Sequence, residues 1–345
     1  MQKRNATLVT LTAMLLASLI ATSHNIAVAD SDPKSEAASD ENPSVRETVK
    51  RAIPYLERAG EVWIKKRQCV SCHQIPFMLW SLSAADAKGY AVNRPSLTRW
   101  TTWSTEVPSF VKPAQKDDVE VASTLAANID TLNALLLGIP AQNRTDGTKE
   151  NGSAIWRQVF VNALKKNQLE QGGWKPCGQL PAQKRPLEET TQVTTAWTLL
   201  ALNRERASTG RDQQAVAILQ NAHATSTEWW AVRLLLANER DDLNADAFCD
   251  ALIKKQHADG GWGWLTTDSS DALATGMALY ALSRHSDKKT ETAISKAVTF
   301  LTSSQSLNGS WKVPGTKKTT RNEPTPTSNY WGTAWAVIGL LESER

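Results

Sequence analysis

The sequence has few cysteines, little net charge and no apolar run long enough to span a bilayer. Four cysteines in 345 residues are too few for a disulfide scaffold, so any cysteine chemistry has to be local. The formal net charge is +4 and the basic residues are scattered, so we expect no nucleic-acid partner. A composition of 41% hydrophobic and 21% charged residues excludes a disordered or collagen-like chain and suits one large or two ordinary globular domains.

The N-terminus has the pattern of a secretory signal peptide. Two basic residues precede an uncharged apolar stretch, Leu8–Ile20, and small residues follow as far as Ala29. The apolar stretch is shorter than the roughly 20 residues that cross a bilayer, so we expect export to the periplasm or beyond, with cleavage after Ala29 and no transmembrane segment afterwards. Residues 30–44 are acidic and poor in apolar groups, which predicts a disordered linker.

Tryptophan is the residue in excess, with 14 copies against 5 phenylalanines and 4 tyrosines. Three segments share the pattern Gln-x-x-x-Gly-Gly-Trp, with serine in place of the second glycine in the third. They are Gln168 to Trp174, Gln256 to Trp262, and Gln305 to Trp311. A fixed motif that recurs along the chain predicts a repeat architecture.

Two kinds of helix flank the repeated turns. Upstream, apolar residues recur on one face only, whereas downstream segments such as 272–283 contain no charged residue and are apolar nearly all round. Half-exposed helices that alternate with buried ones predict hairpins of one outer and one inner helix, closed into a double-walled ring. We expect an all-α domain over residues 45–345 with six hairpins: 45–66 with 75–88, 95–105 with 118–138, 152–169 with 190–204, 212–221 with 226–239, 245–257 with 270–284, and 288–304 with 329–343.

The repeated turns resemble those of squalene-hopene cyclases and of the wider prenyltransferase and squalene-oxidase repeat superfamily. The best match is Gln256 to Trp262 together with Ser270 to Gly276. The resemblance covers residues 150–345 well and 45–150 weakly, and it implies an α/α toroid. Similar turns occur in toroidal pectate lyases, so the fold alone does not choose between isoprenoid chemistry, polysaccharide lyase chemistry and no catalysis.

The acid of the cyclases that this chain resembles, an Asp-x-Asp-Asp motif that protonates an alkene, is absent. The nearest candidates are Asp268 and Asp271, three residues apart at the start of the fifth inner helix. The alternative interpretation is a helix N-cap with a favourable charge at the helix dipole. The chain is also about half the size of a two-domain cyclase.

Two charges and three tryptophans on the inner helices are candidates for lining a central cavity. They are Asp130, Arg233, Trp197, Trp230 and Trp335. Such residues could bind an apolar or cationic small molecule. The alternatives are a charge that reaches a wet helix end and tryptophans that simply pack in the core.

The motif that carries chemistry is Cys69-Val-Ser-Cys72-His73, which matches the attachment site of c-type haem. Both thiols can add to the vinyl groups of one porphyrin while His73 reaches the iron as the proximal ligand. A disulfide that closes the turn, or a zinc site with one more ligand, are the alternatives. The motif stands where other hairpins have their turn, an arrangement that resembles an exported subgroup of toroid proteins. Cys177 and Cys249 could pair.

Together these features predict an exported toroid protein with haem c and a redox or sensory role, served by a redox partner protein. The first alternative is an isoprenoid enzyme of the terpenoid-cyclase type. The second is a noncatalytic interaction scaffold.

Overall fold

The computed structural model describes residues 43–70, 74–111, 120–141, 152–177, 183–219, 224–241, 243–320 and 323–344. Asn42–Arg345 forms one compact unit. The described residues contain thirteen α-helices, and no strand beyond isolated bridges. No helix within these ranges combines the length and apolar character needed to cross a membrane.

The helices run along the whole of the described chain. They are α1 (Val45–Arg67), α2 (Ile75–Ala87), α3 (Arg94–Thr105), α4 (Val121–Ala126), α5 (Ile129–Gly138), α6 (Gly152–Lys166), α7 (Leu187–Arg204), α8 (Asp212–Ile218), α9 (Thr227–Ala237), α10 (Ala245–Ile253), α11 (Ala272–Ser283), α12 (Glu291–Ser304) and α13 (Pro326–Ser343).

Six helices form a closed inner ring in the order α2, α5, α7, α9, α11 and α13, and α13 packs back against α2. The outer helices α3, α6, α8, α10 and α12 each pack against the inner helix that precedes them in the chain, and α1 packs against α13. The predicted double ring of six hairpins, an all-α toroid, is therefore confirmed. The hairpins are numbered here from one (α1 and α2) to six (α12 and α13).

The second hairpin departs from the prediction. One inner helix was expected over 118–138, but the chain forms α4 and α5 with a break at Ala127 and Asn128. The Asn128 side chain donates a hydrogen bond from Nδ2 to the Thr124 carbonyl oxygen at 2.8 Å, so it competes with the backbone for the acceptor that a continuous helix would use. The short α4 then packs against α6 as part of the outer layer.

The tryptophans of the repeated turns are fully buried and join three parts of their hairpin. Each indole Nε1 donates to a carbonyl oxygen of the preceding outer helix, and each backbone N–H donates to a threonine hydroxyl of the following inner helix. The carbonyl acceptors are Leu164, Leu252 and Leu301, at 2.7, 2.9 and 2.9 Å from Trp174, Trp262 and Trp311. The hydroxyl acceptors are Thr195, Thr275 and Thr333, at 3.1, 2.9 and 3.2 Å.

The glutamines of the turns join each hairpin to the next outer helix. Gln256 Nε2 donates to the Gly260 carbonyl in its own turn at 2.8 Å and to the Ala293 carbonyl in α12 at 2.9 Å. Gln305 makes the same pair of bonds, with its own turn and with the Thr48 carbonyl in α1 at 2.9 Å. The last turn therefore closes the ring onto the first helix. Gln168 bonds its own turn at 2.7 Å and approaches Arg211 beside α8 at 3.5 Å.

Candidate functional site

Cys69 lies at the end of α1, where the chain leaves the helix through Gln68 in the left-handed region (φ 49°). Its carbonyl accepts a hydrogen bond from Trp63 Nε1 at 3.0 Å, and the next residue, Val70, donates its N–H to the Ser109 carbonyl at 2.6 Å. Both bonds hold the peptide group between the half-buried Cys69 and Val70. Cys72 and His73 lie outside the described residues.

The surface around this end of α1 is aromatic and cationic. The Arg67 guanidinium lies 5.5 Å from the centre of the Trp63 ring, and Lys65 and Lys66 share the last turn. Val62, one turn back, is 56% exposed. The last two turns of α1, which lead to the half-buried Cys69, therefore carry an exposed apolar residue and three basic residues, of which Lys65 is paired with Glu61 at 3.3 Å.

The inner ring encloses a cavity whose walls are mainly aromatic. Trp335 of α13 has its ring centre 5.4 Å from Trp80, 5.4 Å from Phe77 and 6.0 Å from Trp197. The volume of the cavity is about 40 Å³. A cavity of this size holds a few waters or a small molecule, whereas an isoprenoid needs far more room.

Asp130 lies at the start of α5 and lines this cavity. Thr194 donates its hydroxyl to Oδ1 at 2.7 Å, and Cys177 donates its backbone N–H and its thiol to Oδ2 at 2.9 and 3.1 Å. Burial raises the pKa of Asp130; the hydrogen bonds from Cys177 and Thr194 oppose this shift, and the charge of Glu228 adds to it. The structure therefore places this predicted residue in the cavity wall.

Glu228 is a second acid that lines the cavity, and it was not among the residues predicted from the sequence. Its Oε1 accepts from Trp197 Nε1 at 3.1 Å, and its Oε2 is 2.7 Å from Arg185 Nη1. The Arg185 side chain is fully buried and also donates to Ser226 at 3.2 Å. Glu228 could have been found as an acid in the otherwise apolar start of α9, but Arg185 precedes α7 in a loop and carried no sequence signal.

Asp268 and Asp271 do not line the central cavity; they line a separate open depression of about 480 Å³ with Lys184 and Trp264. Asp271 is the N-cap of α11 and accepts backbone N–H bonds from Ala274 at 2.8 Å and from Trp264 at 2.9 Å. Burial raises the pKa of Asp271 to about 6 although these hydrogen bonds oppose the shift. Asp268 lies 3.6 Å from the Lys184 ammonium. Both oxygens of Asp271 are therefore committed to holding the backbone.

Arg233 and Trp230 do not line the cavity either, which corrects their prediction as cavity residues. They lie on the side of α9 that faces the outer layer: the Arg233 guanidinium is 4.6 Å from the centre of the Phe248 ring of α10, and Lys255 Nζ is 4.4 Å from that of Trp230. Burial lowers the pKa of Arg233 to about 10. Trp197 and Trp335, by contrast, line the cavity as predicted from their positions.

Cys177 and Cys249 are not joined. Cys249 is a fully buried free thiol on α10, and burial raises its pKa to about 11. Cys177 instead donates its thiol to Asp130. The pairing that the sequence left open is therefore not a disulfide.

One cluster among the described residues has the composition of a metal site: Asp246, His285 and Asp287. Its carboxylates already share a cation, because Lys289 Nζ lies 3.3 Å from Asp246, 3.1 Å from Asp287 and 3.1 Å from Asp250. His285 bonds Asn238 at 2.8 Å and Asp246 at 3.2 Å. The cluster is an ion-pair network around a lysine.

Comparison with known proteins gives the fold and no more. No family model and no curated protein matches the sequence. Two solved structures described as possible members of the GH105 family, from Salmonella enterica serovar Paratyphi A and Klebsiella pneumoniae, are each 14% identical and match 86% of this chain and 93% and 92% of theirs, with TM-scores of 0.55 and 0.53. A type II terpene cyclase variant from Scytonema is 14% identical and matches 86% of this chain and 99% of its own, with a TM-score of 0.49. At such identities the likeness to the two possible GH105 members supports one conclusion: the chain has their α/α toroid fold.

Proposed function

We propose that this protein is an exported α/α toroid that carries haem c, attached through Cys69 and Cys72 with His73 as the proximal iron ligand, and that it transfers electrons to a partner protein or senses redox state. The observation that carries the proposal is the complete Cys-x-x-Cys-His sequence at the connection between α1 and α2. The signal-peptide pattern supports it, because c-type haem is attached outside the cytoplasm.

The described residues next to the motif fit a haem. The Cys69 thiol is half-buried, so it can be reached, while its backbone is held by Trp63 and by the hydrogen bond from Val70 to Ser109. Lys66 and Arg67 in the last turn of α1 are suited to pair with propionates.

In this proposal the chain binds, orients and shields, while bound haem supplies a one-electron couple. Trp63 fixes the direction in which the chain leaves α1, and α2 fixes the direction in which it enters the ring.

The isoprenoid-cyclase alternative has less support. The central cavity has a volume of about 40 Å³, which is too little for an isoprenoid chain. Asp271 uses both carboxylate oxygens to hold backbone N–H groups, so it is a poor candidate for a proton donor to an alkene.

The test is to produce the full chain in a bacterium that has a cytochrome c maturation system. Purified protein is expected to show a Soret band, a pyridine-haemochrome spectrum of the c type and covalent haem on a denaturing gel. Its mass is expected to be that of a chain that starts at Asp30 and carries one haem. The double variant Cys69→Ala/Cys72→Ala is expected to lose the haem, whereas the matched cysteine variant Cys249→Ala keeps it.

Two outcomes would overturn the proposal. One is folded wild-type protein without a Soret band in which mass spectrometry finds Cys69 and Cys72 joined as a disulfide. The other is one equivalent of zinc in the wild type that both cysteine substitutions remove.

A further inference from the structure

The central cavity contains a buried polar atom that the haem proposal does not use. Asn133 of α5 lines the cavity and is 2% exposed. Thr198 donates its hydroxyl to the Thr194 carbonyl at 2.8 Å, so the Thr198 oxygen accepts from Asn133 Nδ2, also at 2.8 Å. This fixes the orientation of the amide and leaves Asn133 Oδ1 as an acceptor with no donor among the described residues. A buried acceptor in that state costs about 1–3 kcal/mol, so the site favours a ligand that donates.

The same cavity holds more acids than bases. Glu228 is paired with Arg185. Asp130 accepts bonds from Thr194 and Cys177, both neutral donors, and no cation of the described chain forms an ion pair with it. A positive charge placed in the cavity would therefore supply the partner that Asp130 lacks.

The remaining wall is suited to a cation with apolar substituents. Phe77 and Trp80 of α2, Trp197 of α7, and Trp331 and Trp335 of α13 line it, and aromatic rings attract methylated ammonium groups through their π faces. Trp335 Nε1 also has no hydrogen-bond acceptor among the described residues, but it lies among rings that accept N–H groups weakly.

We propose that the central cavity binds a small protonated methylated amine, such as trimethylammonium, whose charge faces Asp130, whose N–H donates to Asn133 Oδ1 and whose methyl groups contact the aromatic wall. Each part of the ligand matches one feature of the site: its charge matches Asp130, its N–H matches the unused acceptor of Asn133, and its methyl groups match the aromatic rings. The open volume of about 40 Å³ restricts the ligand to this size class and excludes longer chains.

The test uses the tryptophans of the cavity as a fluorescent probe in the full-length protein. Trimethylammonium is expected to produce a saturable change in tryptophan emission, and tetramethylammonium, which has the charge but no N–H, to bind about tenfold more weakly. Tert-butanol, which is similar in size but neutral, is expected to give no saturable change.

Two substitutions separate the roles of charge and hydrogen bond. Asp130→Asn removes the charge and keeps one acceptor oxygen, which can serve Thr194 or Cys177 but not both, so it should weaken binding of both ammonium ions by about tenfold or more. Asn133→Leu should weaken trimethylammonium and leave tetramethylammonium unchanged. Asp241→Asn, at an exposed position between α9 and α10, is the matched control and should alter neither.

The proposal is overturned if trimethylammonium gives no saturable change, which would mean that the cavity holds water only. It is also overturned if tert-butanol binds as well as trimethylammonium, or if folded Asp130→Asn binds both ions as the wild type does. Thermal unfolding of each variant verifies that the ring is intact. Asn133→Leu supplies the decisive comparison if Asp130→Asn fails to fold.

Discussion

The connection between α1 and α2 differs from the turns of hairpins three, five and six in how it is held. In those three hairpins a buried tryptophan joins the outer helix to the inner helix, and a glutamine joins the turn to the next outer helix or approaches it. At the first connection Trp63 donates to the Cys69 carbonyl and Val70 donates to the Ser109 carbonyl, and neither bond reaches the inner helix α2. Trp63 precedes the connection and is only partly buried.

The helix starts that follow show the same contrast for hairpins five and six but not for hairpin three, where Pro186 at the start of α7 makes no side-chain capping bond either. Asp271 caps α11 with its side chain, and Thr325 caps α13 in a capping box with Ser328. Gln74, at the corresponding position of α2, makes no capping bond with its side chain. The described residues of the first connection thus show neither the tryptophan bond to the inner helix nor the glutamine bond to the next outer helix, which leaves this sequence freer to carry a motif chosen for chemistry.

The largest difference should appear when the tryptophans are removed. Trp262→Ala deletes a fully buried indole and leaves the Leu252 carbonyl without its indole donor, so we expect a loss of about 3–5 kcal/mol in the free energy of unfolding. Trp63→Ala should cost about 1–2 kcal/mol, because its ring is partly exposed and makes one bond. Urea unfolding measures both.

A matched pair separates packing from hydrogen bonding at these positions. Trp262→Phe keeps most of the buried ring and should recover more than half of the loss, whereas Trp63→Phe should be close to wild type. Equal losses for the two alanine variants would contradict the contrast between the turns.

The next effect concerns the closure of the ring. Gly309 has φ +85°, and a Cβ at this position would overlap the Arg51 carbonyl of α1, so Gly309→Ala should cost about 2–4 kcal/mol. Gly89 has a similar φ of +76° with open space around it, so Gly89→Ala should cost about 1 kcal/mol from backbone strain alone. Thermal unfolding of both variants isolates the close approach between hairpin six and α1. If the two lost the same stability, contact with α1 would not matter at the last turn.

The sequence predicts the ring because the residues of the turn motif make the contacts that join a hairpin to itself and to the next outer helix. Gln256 and Trp262 stand at a fixed spacing since one must reach the next outer helix and the other must reach back to its own. Such local rules are visible in a single chain. The sequence does not predict the break at Asn128, because the residues before and after it both have a helical pattern. Only the side-chain hydrogen bond from Asn128 to the Thr124 carbonyl interrupts the helix.

Cavity residues were harder to predict because an inner helix is apolar nearly all round. With no polar face to mark its orientation, a charge on it can point into the ring or toward the outer layer: Asp130 lines the cavity, whereas Arg233 packs against Phe248 of α10. Arg185 reaches Glu228 across 43 residues of sequence from a loop, a pairing that no periodicity encodes.

The smallest effect is a pH dependence that belongs to the fifth hairpin and has no counterpart at Gln74. Burial raises the pKa of Asp271 to about 6 from its ordinary value of 3.8, so the folded protein binds this proton more tightly than the unfolded chain does. The resulting stability is complete below about pH 4 and is lost as the pH rises through about 6.

Asp271→Asn removes the carboxyl group that titrates. It also removes one of the two oxygens that accept the backbone N–H groups of Trp264 and Ala274. The wild type should therefore gain about 1 kcal/mol relative to Asp271→Asn when the pH falls from 7 to 5, as measured by urea unfolding at both values. Gln74→Ala should show no such change, because an amide does not titrate and its side chain caps nothing. A difference between wild type and Asp271→Asn that stays constant, or that shrinks toward pH 5, would mean that the buried carboxyl remains ionised throughout and that its two N–H donors outweigh its burial.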